Sequence, residues 1–361
     1  MAIFVFQMEF KQPYEQYTMI YFDCDYMAGG HPEVMNRLNE TNLLHTSGYG
    51  TDEFTHDAEK LILDECGIPE GKVYFMVGGT QTNAVVIDRL LSRNDGVIAT
   101  ETAHISVHEA GAIELSGHKI LTLPESDGKL TAVAVDAYMT SFFADETNAH
   151  MVRPAMVYIS FPTELGTVYS REELQSLYDV CGKWGMPLYI DGARLAYGLA
   201  VKDNGLTIKD IAHLCDVFYI GGTKCGALFG EAVVTRRPEL LPRFFSLMKM
   251  HGAVLAKGRL LGVQFQTLFK NGLYSEIGRK AVELALRLKR GFMEKGLTPY
   301  IDSPTNQQFF ILPNDTIELL RRNASFELWG PPGETESIVR FVTDWTTTEA
   351  DCDAIIGLLP D

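Results

Sequence analysis

Four short stretches carry residues whose types and spacing could do chemistry together. In "VFYIGGTKCGALFGEAVV" one basic residue, Lys224, sits among glycines and apolar residues. Burying a lone ammonium costs roughly several kcal/mol unless it is paired or loses its proton. Lys224 is therefore either a rim lysine or a chemically committed amine. "MPLYIDGARLAYG" ends an apolar run with Asp191, then Gly192, Ala193 and Arg194. Taken alone, that acid and base fit a plain ion pair as well as a site. "VYFMVGGTQTN" puts Gly78, Gly79 and Thr80 between a strand-like and a helix-like run. Free backbone N–H groups at such a helix start, with a hydroxyl, suit a phosphate. No Gly-Lys-Ser/Thr follows, so this is not the nucleotide-binding P-loop. "ETAHISVHEAGA" carries His104 and His108 four residues apart, on one face if the segment is helical. No third ligand stands at a zinc-like spacing, so no metal is expected.

In chain order these clusters form the set that one cofactor requires. Pyridoxal phosphate needs an anion site, a partner to stack on its ring, an acid facing its pyridinium nitrogen and an amine. Gly79 with Thr80, then His104, Asp191 and Lys224, supply those four groups in turn. The amine must be uncharged to attack a carbonyl, which a semi-buried position favours.

The elements that must position these residues are legible in the hydrophobic pattern. "KVYFMV", "GVIAT", "HKILTL", "AMVYISF", "PLYI", "VFYIGG" and "GEAVVT" read as strands, separated by helical segments such as "SREELQSLYDVCGKWG". Near-continuous apolar strands between helices predict an α/β fold with a mostly parallel seven-stranded sheet covered on both faces. Ligands bind such sheets at the carboxyl ends of their strands, where all four clusters fall. Ser170 followed by Glu173 is a capping box for one of the helices. From about residue 250 the pattern changes to two long helices, then strand-like "NQQFFILP", "SFELWG" and "SIVRFVTDW" and a final helix near "TEADCDAIIGLL". We expect a large domain over residues 1–248 and a smaller C-terminal α+β domain with a linking helix over 249–361.

Composition narrows the function class. A chain of 361 residues with 46% hydrophobic residues can bury a sizeable core. Its net charge of -16, without any long Lys/Arg run, argues against nucleic acid as a partner. No apolar stretch reaches the roughly 20 residues of a membrane span. The N-terminal "MAIFVFQMEFKQPYEQY" has neither a basic region nor a cleavage-like site. Six scattered cysteines have neither zinc spacing nor disulfide density, so a reduced, cytoplasmic protein is expected.

With these motifs in hand the chain resembles the threonine aldolases. That family includes the low-specificity L-threonine aldolases and belongs with the β-eliminating lyases among the aspartate-aminotransferase-like (fold type I) pyridoxal phosphate enzymes. "FDCDYMAGGHPEVM", "GYGTDEFTHDAEKL", "GGTQTN", "TAHISVHEAGA", "DGARLAYG" and "GGTKCGALFGEAVV" follow in family order, and "MKMHG" and "VRFVTDW" complete the pattern. The resemblance implies that Lys224 bonds the cofactor and that Asp191 pairs with its pyridine nitrogen. It places Ala193 against one face of the ring and His104 on the other. Gly79 and Thr80 would hold the phosphate, and Arg194 would contact cofactor or substrate carboxylate. Arg340 would grip that carboxylate, Lys249 matches a family lysine near the site, and Lys257 would reach the phosphate from a neighbouring subunit. A homodimer or homotetramer with sites at the subunit boundary follows from the same resemblance. Two positions depart from the family: Glu164 stands where a histidine contacts the substrate hydroxyl, and Cys24 stands in a serine's place by the carboxylate.

The implied reaction is retro-aldol cleavage of a β-hydroxy-α-amino acid to glycine and an aldehyde, with His104 or Glu164 as the base. β-Elimination or transamination on the same scaffold is the alternative enzyme reading, since fold does not decide reaction type. An inactive scaffold or binding protein is the non-enzyme alternative. Retention of both Asp191 and Lys224 argues against it.

Overall fold

The computed structural model describes residues 19–360; the N-terminal apolar run of residues 1–18, and Asp361, lie outside the described residues. The strands are β1 (Ile20–Tyr21), β2 (Lys72–Met76), β3 (Asp95–Thr100), β4 (Lys119–Leu123), β5 (Arg153–Ser160), β6 (Leu188–Asp191), β7 (Val217–Gly221) and β8 (Glu231–Thr235). Further along come β9 (Thr298–Pro299), β10 (Gln307–Pro313), β11 (Ala324–Ser325), β12 (Glu327–Leu328) and β13 (Glu336–Val342).

The seven apolar runs of the sequence form one sheet, in the order β2-β8-β7-β6-β5-β3-β4. Neighbours from β7 to β4 are parallel, and β8 runs antiparallel to both β7 and β2. Strands β3, β6, β7 and β8 are buried at every residue. Because helices cover both faces, these strands read as unbroken apolar runs rather than alternating ones. On one face, Ala58 and Ile62 of helix Glu53–Cys66, Leu174 and Leu177 of helix Arg171–Trp184, and Leu261 and Phe265 of helix Arg259–Lys270 join the core. On the other, Val85 and Val86 of helix Gly79–Leu90 meet Phe244 and Met248. The expected capping box is present, Ser170 and Glu173 each bonding the other's backbone.

A second, antiparallel sheet, β12-β13-β10-β9, has a core of its own around Phe22, Phe292, Phe310 and Phe341. Helix Leu273–Glu294 serves both cores. Tyr274, Ile277 and Ala281 pack under the large sheet, whereas Leu284, Leu288 and Phe292 pack under the small one. One rigid rod thus sets where the small sheet, and Arg340 upon it, stands relative to the large sheet. Among the described residues no helix is long and apolar enough to cross a membrane.

Two glycines let neighbouring strand ends touch. A Cβ on Gly192 would run into the Tyr219 carbonyl, and one on Gly221 into the backbone of Ala193. Their backbones instead bond directly, the Gly221 N–H donating to the Gly192 carbonyl at 2.9 Å. The loops carrying Asp191 and Lys224 are therefore locked side by side.

The small-sheet core provides a test of this architecture. Phe341 is fully buried, its ring 4.8 Å from Phe326, 5.0 Å from Phe292 and 6.2 Å from Phe22. Phe341→Ala is expected to lose about 3–5 kcal/mol in chemical denaturation. A loss below about 1 kcal/mol would show that this core is not packed as described.

Candidate active site

The carboxyl ends of the parallel strands supply the polar groups. β2 runs into Gly78, Gly79 and Thr80, and β3 into Thr102 and His104. β5 leads to Glu164, β6 ends on Asp191, and β7 leads to Thr223 and Lys224. Antiparallel β8 begins at the same edge with Glu231. These residues, with Ala193, Arg194 and Tyr26, and with Arg340, Glu327 and Trp329 from the small sheet, line one cavity of about 890 Å³.

Asp191 is the most heavily bonded group in it. Its Oδ2 accepts from the Tyr158 hydroxyl at 2.7 Å and from Asn83 Nδ2 at 2.9 Å, and its Oδ1 accepts from the Ala193 N–H at 3.0 Å. Burial alone would raise the pKa of this carboxyl. The charge of His104 and the hydrogen bonds of Tyr219, Asn83 and Tyr158 outweigh burial and hold it below the ordinary value. Asn83 is saturated by the same cluster: its amide also donates to Glu109 Oε1 at 2.7 Å, and its oxygen accepts from Tyr189 at 2.9 Å. Glu109 Oε1 in turn meets His104 Nδ1 at 2.8 Å. That contact occupies one ring nitrogen and leaves Nε2 of His104 without a partner among the described residues.

Glu164 does not stand apart from His104. Its Oε1 accepts from the His104 backbone N–H at 2.9 Å and from Ser160 Oγ at 2.6 Å. Burial raises its pKa. The carboxyl therefore anchors the start of the short His104 helix. Lys224 is half-buried, with Nζ 5.9 Å from the centre of the Tyr26 ring. Burial and the nearby Arg194 guanidinium push its pKa down, against Asp25, Asp191 and Glu231. This setting makes the proton of Lys224 easier to lose than that of an exposed lysine.

Two guanidiniums lie on the wall. Arg194 forks onto Asp25 at 2.7 and 2.9 Å, and Asp25 also accepts from Asn306 at 3.0 Å. Arg340 donates to Gln307 at 3.2 Å, pairs with Glu327 and lies over the Trp329 ring at 5.1 Å. Its Nε is buried without a partner. Burial and repulsion from Arg194 lower the pKa of Arg340, so a carboxylate placed there would relieve both.

The structure thus gathers Gly79, Thr80, His104, Glu164, Asp191, Ala193, Arg194, Lys224 and Arg340 around one cavity. Cys24, Lys249 and Lys257 are not among its lining residues. Cys24 is half-buried beside Tyr26, Lys249 lies over the Tyr49 ring at 4.5 Å, and Lys257 is exposed. Sequence reasoning missed Asn83, Glu109, Tyr158, Asp25 and Glu231. Asn83 closes the "GGTQTN" motif and Glu109 lies inside "HEAGA", so both were within motifs already singled out.

The residues present fit pyridoxal phosphate. Gly78, at the start of helix Gly79–Leu90, is extended and provides no side-chain cap, and a Cβ there would meet nothing within 4 Å. The first-turn N–H groups are open to an anion. An ionised acid, an imidazole ring and a lysine amine with a lowered pKa surround the remaining space.

Comparison with known proteins agrees. A family model described as beta-eliminating lyase matches residues 22–311. The chain belongs to the beta-eliminating lyase family. It is 28% identical over 338 residues to the low specificity L-threonine aldolase of Pseudomonas sp. (strain NCIMB 10558), covering 91% of this chain and 94% of the relative. A solved structure of Leishmania major threonine aldolase superposes with a TM-score of 0.90 at 39% identity, covering 94% of this chain and 98% of that one. The aspartate aminotransferase of Thermus thermophilus, 14% identical with a TM-score of 0.68 over 94% and 90% of the two chains, shows the shared fold alone. The expected fold type I architecture and the threonine aldolase resemblance are both met.

The depressed pKa of Asp191 has a consequence for stability. A carboxyl whose folded pKa is lowered stabilises the fold above its ordinary value, here 3.8, and that contribution is lost as pH falls through the folded value. Cofactor-free Asp191→Asn is expected to be less stable than wild type at about pH 7, with the gap narrowing towards about pH 3. Equal gaps at both pH values, by urea denaturation, would contradict an ionised Asp191.

Proposed function

We propose that this chain is a pyridoxal-phosphate-dependent lyase that cleaves L-threonine, L-allo-threonine or a related β-hydroxy-α-amino acid to glycine and an aldehyde. The observation that carries this reading is the convergence of Lys224, an ionised Asp191 and a His104 tethered through Nδ1 in one cavity. When bound, the cofactor supplies an electron-withdrawing ring that takes up the electrons of the breaking Cα–Cβ bond.

The residues of the chain do the rest. Gly79 and Thr80 would hold the phosphate, Asp191 would keep the pyridine nitrogen protonated, and Ala193 and His104 would bound the ring. Lys224 provides the uncharged amine. Arg340, with Arg194 nearby, would fix the substrate carboxylate and so orient the bonds at Cα. His104 Nε2 removes the β-hydroxyl proton, directly or through water, a role that typically contributes about 10²–10⁴-fold. Glu164 is the second candidate base, with a pKa raised by burial towards the operating range.

The same reading divides the chain into a large part, residues 1–248, and a small part, 249–361, linked by helix Leu273–Glu294. It makes the enzyme a cytoplasmic homodimer or homotetramer with sites at the subunit boundary. The exposed apolar residues Tyr26, Met27, Leu43, Leu44, Tyr49 and Leu228, of which Tyr26 lines the cavity, support a subunit interface. Lys249 and Lys257 would then act on a neighbour's site, and Cys24 would stand behind the carboxylate subsite.

β-Elimination is the second reading, favoured by the description of the family that the chain matches. Incubation with L-threonine, L-allo-threonine and phenylserine separates the two. Glycine and the matching aldehyde in equal amounts are expected. Pyruvate and ammonia from serine, with no glycine from any β-hydroxy substrate, would overturn the aldolase reading.

A further inference from the structure

Glu231 is a buried carboxyl in the cavity that none of the steps above employs. As the first residue of β8 it stands opposite Met76 of β2 on one side and Gly221 of β7 on the other. Gly79 follows three residues after Met76, and Lys224 three residues after Gly221. Glu231 therefore lies between the phosphate turn and the lysine turn.

Its two oxygens are held by the second of these. Oε2 accepts from the Gly222 N–H at 3.0 Å and Oε1 from Thr223 Oγ1 at 2.7 Å, while Thr223 Oγ1 itself accepts from the Gly230 N–H at 3.0 Å. A hydroxyl has one proton, and Thr223 directs its own at Glu231 rather than at the cavity. The buried Glu231 carboxyl and a phosphate bound at Gly78–Thr80 would share one edge of the sheet. If both were charged, they would repel strongly there.

Burial pushes Glu231 up to about 8, against the hydrogen bonds of Thr223 and Gly222 and the charge of Lys224, while Asp191 adds to the rise. The other groups facing it are Cys225 on the same turn, Tyr219 on β7, Tyr189 on β6 and Tyr274 on helix Leu273–Glu294. Burial raises all four, so they stay neutral near pH 8. Lys224, whose pKa burial and Arg194 push down, is the remaining titratable group beside it.

We propose that Glu231 is a proton-linked gate on the phosphate end of the cofactor site, its carboxyl holding a proton whenever the phosphate lies against the Gly78–Thr80 turn. This rests on the pyridoxal phosphate reading. The sign follows from linkage. The ligand-bound protein holds the Glu231 proton more tightly than the free protein. Phosphate affinity is therefore full at low pH and is lost as pH rises past the Glu231 value.

The test uses cofactor-free full-length protein and pyridoxamine 5'-phosphate, which has the ring and phosphate but no aldehyde to react with Lys224. Its dissociation constant is measured from about pH 7 to about pH 9.5 for wild type and Glu231→Gln. Both are repeated in a Lys224→Ala background, which removes the lysine's own titration. The wild-type constant is expected to rise about tenfold per pH unit above pH 8, and that of Glu231→Gln much less, in both backgrounds. Parallel slopes would overturn the proposal, as would a wild-type affinity that stays flat, which decides the matter even if Glu231→Gln fails to fold. Absence of binding at every pH would overturn the cofactor reading and this inference with it. Binding with parallel slopes overturns only the inference.

Discussion

A carboxylate kept ionised inside a protein is the constraint on which the rest of this structure depends. Asp191 is 4% exposed, and without partners it would take up a proton rather than remain charged. Three hydrogen bonds from Tyr158, Asn83 and the Ala193 backbone, together with the His104 charge, prevent that. Each partner imposes a further demand. Asn83 must present both amide protons inward, which binds Glu109, and Glu109 turns His104. Asp191 and His104 are thus parts of one hydrogen-bonded unit, and neither can be moved alone.

The sheet topology makes that unit compatible with a neighbouring amine. Gly192 and Gly221 allow the ends of β6 and β7 to bond backbone to backbone, so the turn that carries Lys224 starts beside the turn that follows Asp191. Reversing β8 brings Glu231 to the same edge, where a parallel strand would have presented its carboxyl end instead. The helix Leu273–Glu294 then carries the small sheet to a fixed place, and Arg340 reaches the cavity from the far wall. Asp25, from the segment following β1, neutralises Arg194 and leaves Arg340 as the guanidinium with an unmet N–H.

Much of this was legible in the sequence because the signals are local. An apolar strand followed by a glycine turn and a polar residue marks a strand end wherever it occurs, and Gly79, Asp191 and Lys224 are all read that way. The seven-stranded sheet followed from near-continuous apolar runs. What remained hidden depends on partners far apart in the chain. Asn83 and Asp191 are 108 residues apart, and Asp25 and Arg194 are 169 apart. Glu164 was legible as a departure from a family pattern, but its grip on the His104 N–H was not, because it depends on how two loops lie together. Lys249 and Lys257 came from resemblance alone. In a single chain they fall outside the residues that line the cavity.

The central claim is that Lys224, and no other lysine, is the amine committed to the cofactor. Reductive trapping with borohydride after loading with pyridoxal phosphate, followed by peptide mass spectrometry, tests it most directly. Stoichiometric modification of Lys224 is predicted, and Lys224→Ala should abolish it. Modification at Lys249 or Lys257 instead, or none on any lysine, would contradict the account.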